Sequence, residues 1–552
     1  MLCNKSKEYE LREYISFEKL VRNSTVKLNN KRNMSEINIL WADDEIDLLK
    51  PQIIFLETKG YKVKAVTNGQ DAIEACRNEH FDVVFLDESM PGLTGLETLS
   101  KIKEINNNLP IVMITKNEEE NLMEDAIGSK ISDYLIKPVK PNQILMSLKK
   151  IIDNDRLVSE KTTSNYQQEF QKIFMSMQDN HNFESWTELY KKLVYWEVEL
   201  EQSETNAMSE VFAMQKSEAN TAFSKYITKN YLDWIEHPDA PESPILSFNL
   251  LPKKVFPLLK QEKPTYLLVI DNLRLDQWKV IQPLVQKLFR QVEDETLYSI
   301  LPTATQYSRN AIFAGLMPAD IEKQMPQYWK SDDDEGGKNN FEDKLLEAHL
   351  KRVFRTEIKM HYFKVTNHKL GEELVENVMN WMNNRLNVIV YNFVDMLSHA
   401  RTEMEVLKEL ASDEKAYRSL TESWFEHSAL YEALKKIATK DINLVITTDH
   451  GTIRVKTPSK CVGDRQTSTN IRYKTGRNLA YEERDVFVIK DPAKAKLPKS
   501  NMTSTYIFAK EDKYLVYQNN YNHFVNFFKD SFQHGGISLE EIIIPVATFV
   551  SK

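Results

Sequence analysis

Short apolar runs alternate with amphipathic stretches over the first part of the chain. Asn38-Ile39-Leu40-Trp41-Ala42, Val83-Val84-Phe85-Leu86, Ile111-Val112-Met113-Ile114 and Asp133-Tyr134-Leu135-Ile136 each read as a buried strand, with helical segments between them. That βαβα period predicts a parallel sheet with helices on both faces, whose ligands collect at the carboxyl ends of the strands. From about 153 to 240 there is no glycine, and no proline before Pro238. There Phe170, Phe174, Met177, then Trp186, Leu189, Leu193, Trp196, then Phe223, Ile227, Tyr231, Trp234 recur at three- and four-residue spacing, which predicts a helical bundle with these side chains as its core. The prolines of Glu236-His237-Pro238-Asp239-Ala240-Pro241-Glu242-Ser243-Pro244 mark a boundary. Beyond it, Tyr266-Leu267-Leu268-Val269-Ile270, Val388-Ile389-Val390-Tyr391-Asn392-Phe393 and Leu444-Val445-Ile446-Thr447 again read as buried strands. The chain thus divides into 1–33, 34–152, a connector over 153–240, a linker over 241–262, and 263–552.

The polar residues that end these strands carry the chemistry. In the first part they are Asp43-Asp44-Glu45, then Asp87 ahead of Met90-Pro91-Gly92, then Thr115, then Lys137-Pro138. Clustered carboxylates are the hard oxygen ligands Mg²⁺ prefers, and Asp87 is a candidate covalent phosphate acceptor of the aspartyl-phosphate kind. On these residues 36–152 resemble a response-regulator receiver domain. The resemblance implies that Asp43 and Asp44 bind Mg²⁺ with Asp87, that Asp87 is phosphorylated, that Thr115 and Lys137 contact the phosphoryl oxygens, and that Tyr134 is the aromatic switch.

In the second half the strands run into Asp271, into Asp395 with His399 four residues on, and into Asp449-His450-Gly451; His534-Gly535-Gly536 follows late. Asp and neutral His suit Zn²⁺ or Mn²⁺, and two such ions can bind the attacking and leaving oxygens of a phosphoryl transfer. Pro302-Thr303-Ala304-Thr305 offers a hydroxyl nucleophile. In their order these motifs resemble the alkaline phosphatase superfamily, and PglZ domains in particular. The resemblance implies one metal held by Asp395, His399 and His534 and another by Asp271, Asp449 and His450, with Thr305 bridging them; Thr303 is the alternate nucleophile. Arg454, Lys456, Lys460, Arg465, Arg472, Lys474 and Arg477 follow the Asp449-His450 locus and read as a basic loop that would attract phosphodiester backbones. Arg309 is the candidate for the arginine that monoesterases of the superfamily use. Ser331-Asp332-Asp333-Asp334-Glu335-Gly336-Gly337 reads as an exposed loop without chemistry, and His349, His361, His427 and His523 as structural or surface histidines.

Whole-chain properties exclude several classes. The 552 residues are enough for three or four domains, and Cys3, Cys76 and Cys461 are too few and scattered for a disulfide framework or zinc-thiolate site. No apolar run approaches the ~18–20 residues of a membrane span, and residues 1–33 lack a signal-peptide core. Their mixed charge, with Met34 just ahead of the first strand, reads as an upstream extension. The net charge of −9 argues against non-specific binding to duplex nucleic acid, and the expected location is cytoplasmic.

The multidomain α/β order of flavodoxin-like receiver, helical-bundle connector and alkaline-phosphatase-like domain resembles the PorX-type response regulators of type IX secretion. That resemblance implies a sensor histidine kinase, contacts with a secretion machinery component and a sigma factor, a phosphorylation-linked homodimer, and zinc phosphodiesterase action on small or cyclic oligonucleotides. The alternative is a non-catalytic binding protein switched by phosphorylation.

Overall fold

The computed structural model describes residues 37–552 apart from 107–108, 117–130, 153, 178–181, 203–207, 333, 335, 465–466, 500 and 502. The upstream extension expected over 1–33 lies outside the described residues.

Strands β1 (Ile37–Ala42), β2 (Tyr61–Val66), β3 (Val83–Asp87), β4 (Ile111–Thr115) and β5 (Asp133–Ile136) form one parallel sheet in the order β2-β1-β3-β4-β5. This is the doubly wound order, and its switch point lies between β1 and β3. Alternate residues of each strand enter different cores. Leu40, Ala42, Val84 and Leu86 pack in one apolar cluster, and Ile39, Trp41, Val83 and Phe85 in the other. The inner strands β1, β3 and β4 are thus buried on both faces and mostly apolar, whereas the edge strand β2 carries Lys62 and Lys64. Helices α1 (Lys50–Thr58), α2 (Gly69–Asn78), α3 (Gly95–Ile105) and α4 (Pro141–Ile152) accompany them. A Thr94–Glu97 capping box starts α3. Gly95 is required there, because a Cβ would sit 2.6 Å from the Asp87 carbonyl.

Helices α5 (Asn154–Ser176), α6 (Phe183–Gln202) and α7 (Ser209–Glu236) form the connector. From Tyr166 on, apart from residues 202–208, they belong to one compact unit with the second half of the chain. In α6 and α7 the apolar stripe is a core, with Trp186, Leu189, Leu193, Trp196, Phe223, Ile227, Tyr231 and Trp234 buried; in α5 and just after it the expected Phe170, Phe174 and Met177 are only half-buried, and Tyr166 and Ile173 enter the core instead.

The second half is built on β6 (Thr265–Ile270), β7 (Phe289–Tyr298), β8 (Met360–Val365), β9 (Leu386–Tyr391), β10 (Asn443–Thr447) and β11 (Ile543–Ser551). Their order is β7-β11-β10-β6-β9-β8. Strands β10, β6, β9 and β8 are parallel, whereas β11 is antiparallel to both β10 and β7. Because β6, β9 and β10 point the same way, their carboxyl ends share one edge of the sheet. Helices α8 (Leu275–Leu288), α9 (Thr305–Ala314), α10 (Phe393–Glu403) and α11 (Leu539–Ile542) carry or flank that edge. Trp234 of α7 stacks edge-on against Tyr298 of β7, with ring centroids 5.7 Å apart.

Residues 241–262 depart from the expectation of a linker. Leu246, Leu250, Leu251 and Val255 are fully buried, and Leu246 bridges to Tyr298. Short 3₁₀ and π turns let this proline-bearing stretch follow the domain surface while its leucines enter the core. No helix among the described residues is long and apolar enough to cross a membrane.

Candidate phosphoacceptor and metal centres

At the receiver switch point, Asp43 follows β1 and Asp87 ends β3. Ligand oxygens of Asp43, Asp44 and Asp87 lie within 4.8 Å of one another. Lys137 Nζ reaches Asp43 Oδ2 at 2.8 Å and Asp87 Oδ1 at 3.1 Å. Burial pushes the Asp87 carboxyl up to about 6; Lys137 opposes that shift, and Asp43 and Asp44 add to it. Burial pulls Lys137 down, but its hydrogen bonds to Asp43 and Asp87 outweigh this and raise it overall. The other Asp87 oxygen is buried without a hydrogen-bond partner. Three oxygen donors and an unsatisfied carboxylate oxygen fit Mg²⁺. Thr115 ends β4 in register with Ile136 of β5, and Tyr134 sits in β5 against the Leu40–Leu86 core.

In the second half the structure brings two groups together, Asp395/His399/His534 and Asp271/Asp449/His450, each with ligand atoms within 4.8 Å of one another. Asp271 follows β6, Asp449-His450 follows β10, and Asp395 and His399 lie one turn apart on α10. His534 arrives from a loop far away in sequence, and its ring stacks on His450 with centroids 4.2 Å apart. Asn272, at φ 65°, donates its backbone N–H to Asp449 and its side-chain amide to Asp395, each at 3.2 Å, and so ties the two groups together. Asn is among the few side chains that tolerate this left-handed backbone.

Each inner histidine is fixed through Nδ1. His450 Nδ1 is 3.2 Å from the Gly451 carbonyl and His534 Nδ1 3.1 Å from the Thr303 carbonyl. A carbonyl can only accept, so each Nδ1 carries the proton and each Nε2 turns its lone pair toward the site, where that of His450 accepts from the Thr305 hydroxyl. Burial pushes both imidazoles down to about 3, which keeps them neutral. Burial pushes the Asp271 carboxyl up to about 7, with Arg309 opposing, and it also raises Asp395 and Asp449. An Asp449 oxygen is buried without a hydrogen-bond partner. Buried carboxylates and lone-pair imidazoles that outnumber the local cations fit two divalent ions of the zinc type.

Thr305 opens α9. Its Oγ1 lies 3.0 Å from His450 Nε2 and 3.4 Å from Asp271 Oδ1. Thr303 is occupied elsewhere, since its buried hydroxyl donates to the Gly536 carbonyl and accepts from the Gly535 N–H, both at 3.0 Å. One turn after Thr305, Arg309 is 1% exposed and faces inward. It pairs with Asp271 at 2.6 Å and donates to Glu342 at 2.5 Å. The guanidinium of Arg309, the candidate for the monoesterase role, is thus held by two buried carboxylates.

The basic loop after His450 is committed internally in part, while its Lys456, Lys460 and Arg477 are exposed. Arg472 is buried against Glu541, and Arg454 pairs with Asp530 at 3.1 Å. Lys474 is buried and donates to the Ser468 and Thr469 carbonyls. Arg465 lies outside the described residues. A further acidic trio, Glu197/Asp276/Glu414, is filled internally by Lys216, Arg274 and Arg418 and needs no metal.

A cavity of about 500 Å³ opens beside the ligand groups, lined by His399, Gln533, Asp332, Asn470, Tyr473 and Phe527 among others. Asp332, expected in an exposed loop without chemistry, accepts hydrogen bonds from Tyr307 and Tyr473 at 3.0 and 3.2 Å. Asp333 and Glu335 of that loop lie outside the described residues. No sequence signal pointed to Asp332, Asn470 or Phe527, because they come from separate segments, two loops and the helix Tyr521–Phe528.

Three family descriptions match in succession: a response regulator receiver domain over 39–149, a PorX response regulator linker domain over 156–235, and a BREX system PglZ alkaline phosphatase-like domain over 250–549, more than half of the chain. The chain belongs to the PglZ family, in the PorX-type arrangement. Curated relatives match the receiver part. The transcriptional regulatory protein ZraR of Klebsiella oxytoca is 31% identical over 128 residues, covering 23% of this chain and 29% of that protein. ResD of Bacillus subtilis is 30% identical over 118 residues, covering 21% and 49%. The chain therefore spans less than half the length of these relatives. Among solved structures, a CheY-like receiver domain protein from Methanospirillum hungatei JF-1 is 25% identical and covers 22% of this chain and 96% of its own, with a TM-score of 0.21. A receiver domain protein from Clostridium thermocellum is 26% identical and covers 22% and 98%, also with a TM-score of 0.21. By the three family matches the chain is a response regulator in which an alkaline-phosphatase-like domain follows the receiver and linker.

Proposed function

We propose that the output domain is a zinc-dependent phosphodiesterase acting on small or cyclic oligonucleotides, controlled by phosphorylation of Asp87 from a sensor histidine kinase. In this reading the protein is cytoplasmic, dimerises on phosphorylation, and regulates type IX secretion through a secretion machinery component and a sigma factor. The observation that carries the enzymatic part is Thr305 Oγ1 placed against Asp271 and His450 of the Asp271/Asp449/His450 group.

Bound zinc would supply Lewis-acid activation of the hydroxyl and offset charge on phosphorus. The Thr305 hydroxyl gives up its proton as its oxygen bonds to phosphorus, the bond from phosphorus to the leaving oxygen breaks, that alkoxide takes up a proton and departs as an alcohol, and a phosphothreonyl ester remains for water to cleave. Its place at the first turn of α9 puts the positive end of the helix dipole beside the developing charge. The diester preference follows from charge. A monoester carries a second negative charge, and the one guanidinium at the ligand groups among the described residues is committed to Asp271 and Glu342. Phe527, 36% exposed on the cavity wall, offers a face for a base, with the Asn470 amide nearby.

Turnover of bis-p-nitrophenyl phosphate and p-nitrophenyl phosphate by zinc-loaded protein and by Thr305→Ala tests this. Diester cleavage that falls by at least about 10³-fold in the variant is expected. No cleavage of either ester with two metals bound would leave the phosphorylation-switched binding protein.

A further inference from the structure

The connector does more than pack. Its helix α7 reaches two of the segments that deliver site residues. Asn220 accepts the Leu539 backbone N–H at 2.8 Å and donates its amide to Glu540 at 3.1 Å. Lys216, one turn earlier, pairs with the other Glu540 oxygen at 3.1 Å. Tyr231, three turns later, accepts the Leu301 backbone N–H at 2.8 Å. All of these groups are buried or nearly so.

Each anchored loop leads straight to the ligand groups. Leu301 begins the Leu301–Thr305 stretch that ends at the candidate nucleophile. Leu539 and Glu540 open α11, whose next residue Glu541 accepts the Gly536 N–H at 2.9 Å and so holds the His534-Gly535-Gly536 turn. Glu541 also accepts the Gly451 N–H through its carbonyl at 3.2 Å. Gly451 lies so close that a Cβ there would fall 2.0 Å from the Glu540 carbonyl oxygen. The backbone next to His450 is therefore registered against the same short helix that Asn220 holds.

We infer that α7 is part of the frame of the output site, with Asn220 and Tyr231 as positioning residues. Asn220 sets the His534 loop and Tyr231 sets the Thr305 loop, neither touching substrate. The apolar stripe Phe223-Ile227-Tyr231-Trp234 continues N-terminally at the same helical spacing as Asn220 and Lys216. This is the pattern of a helix face that both packs and grips. The inference rests on the proposed reading of the site as a zinc phosphodiesterase, but its test does not depend on turnover.

The full chain is compared with Tyr231→Phe, Asn220→Ala and, as a packing control on the same stripe, Phe223→Leu. Three readouts apply: zinc affinity by competition with a chromophoric chelator, amide hydrogen exchange of the metal-free protein, and kcat and KM on bis-p-nitrophenyl phosphate. Asn220→Ala is expected to weaken zinc binding about tenfold, in the range seen when groups behind metal ligands are lost. Tyr231→Phe is expected to lower kcat about tenfold with KM within about twofold, as a nucleophile shifted by a fraction of an ångström would. Exchange over 301–305 should quicken in Tyr231→Phe and over 534–541 in Asn220→Ala, while Phe223→Leu changes neither segment. Zinc affinity and segment exchange equal to wild type in both variants, with only the melting temperature lowered as in Phe223→Leu, would overturn the inference. A wild-type protein without diester turnover would instead refute the phosphodiesterase reading, and the zinc and exchange measurements would still decide the role of α7.

Discussion

Replacing Arg309 by glutamine separates a structural guanidinium from a substrate-binding one. Arg309 lies between Asp271 at 2.6 Å and Glu342 at 2.5 Å, with Asp449 at 3.8 Å. Glu342 keeps Lys364 at 2.9 Å and the Tyr362 hydroxyl when the arginine is removed. Asp271 keeps the Thr305 hydroxyl at 3.4 Å but no second cation like Lys364, and its carboxyl, already pushed up to about 7 by burial, loses the cation that opposes the shift. Removing one partner of a buried ion pair costs about 3–5 kcal/mol. With an unfolding entropy of about 2.1 cal/mol/K per residue over roughly 300–400 residues, that is a fall in Tm of about 4–8 °C. The assay is thermal unfolding by circular dichroism in chelator and in zinc. The drop is expected to be largest without metal, because a bound cation would take over part of the neutralisation of Asp271. KM for a diester is expected to stay within about threefold, since Arg309 does not reach the cavity. An unchanged Tm with KM raised tenfold or more would refute the assignment and put the guanidinium on the substrate.

Gly451→Ala places a Cβ 2.0 Å from the Glu540 carbonyl oxygen, a rigid backbone atom, so the His450 strand end must shift; zinc affinity measured by chelator competition is expected to fall about tenfold or more. His349 is buried, with Nδ1 3.1 Å from the Phe313 carbonyl, and burial pushes its imidazole down to about 4 from the ordinary 6.5. The unfolded chain therefore takes up the proton first as pH falls. Stability from this residue is complete above about pH 6.5 and is lost toward pH 4, with about 2 kcal/mol gone by pH 5. Denaturant unfolding of metal-free wild type and His349→Gln at pH 7 and pH 5 checks this, and the variant is expected to lose less on acidification. Lys137→Ala removes the cation shared by Asp43 and Asp87, so Mg²⁺ affinity is expected to rise about three- to tenfold while beryllofluoride binding weakens; titration of the Trp41 fluorescence reads both.

Much of this molecule can be read without coordinates because the relevant signals are local. An apolar run that ends in Asp87, Asp271 or Asp449 announces a buried strand and the group at its end, since strand burial depends on a few consecutive side chains. The helical connector is equally plain, because Trp, Phe and Leu at three- and four-residue spacing fall on one side of a helix and must be covered. What stays hidden depends on which loop meets which. Thr303 and Thr305 are two residues apart and chemically alike; only the folded chain turns one hydroxyl into the His534 loop and the other toward His450.

The order and type of the domains, and the identity of the groups proposed to bind phosphate and metal, were therefore legible in the sequence itself. Tertiary structure alone decided how those groups are used. The charges of Arg309, Arg472 and Lys474 look free along the chain but are spent on partners 38, 69 and a few residues away, and the leucines of 246–255 look like linker residues but fill a core. The reason is physical. A buried charge must find its partner wherever the fold supplies one, and the strand order that brings residues 271, 305, 449 and 534 to one edge is set by long-range crossovers that leave no local periodicity to read.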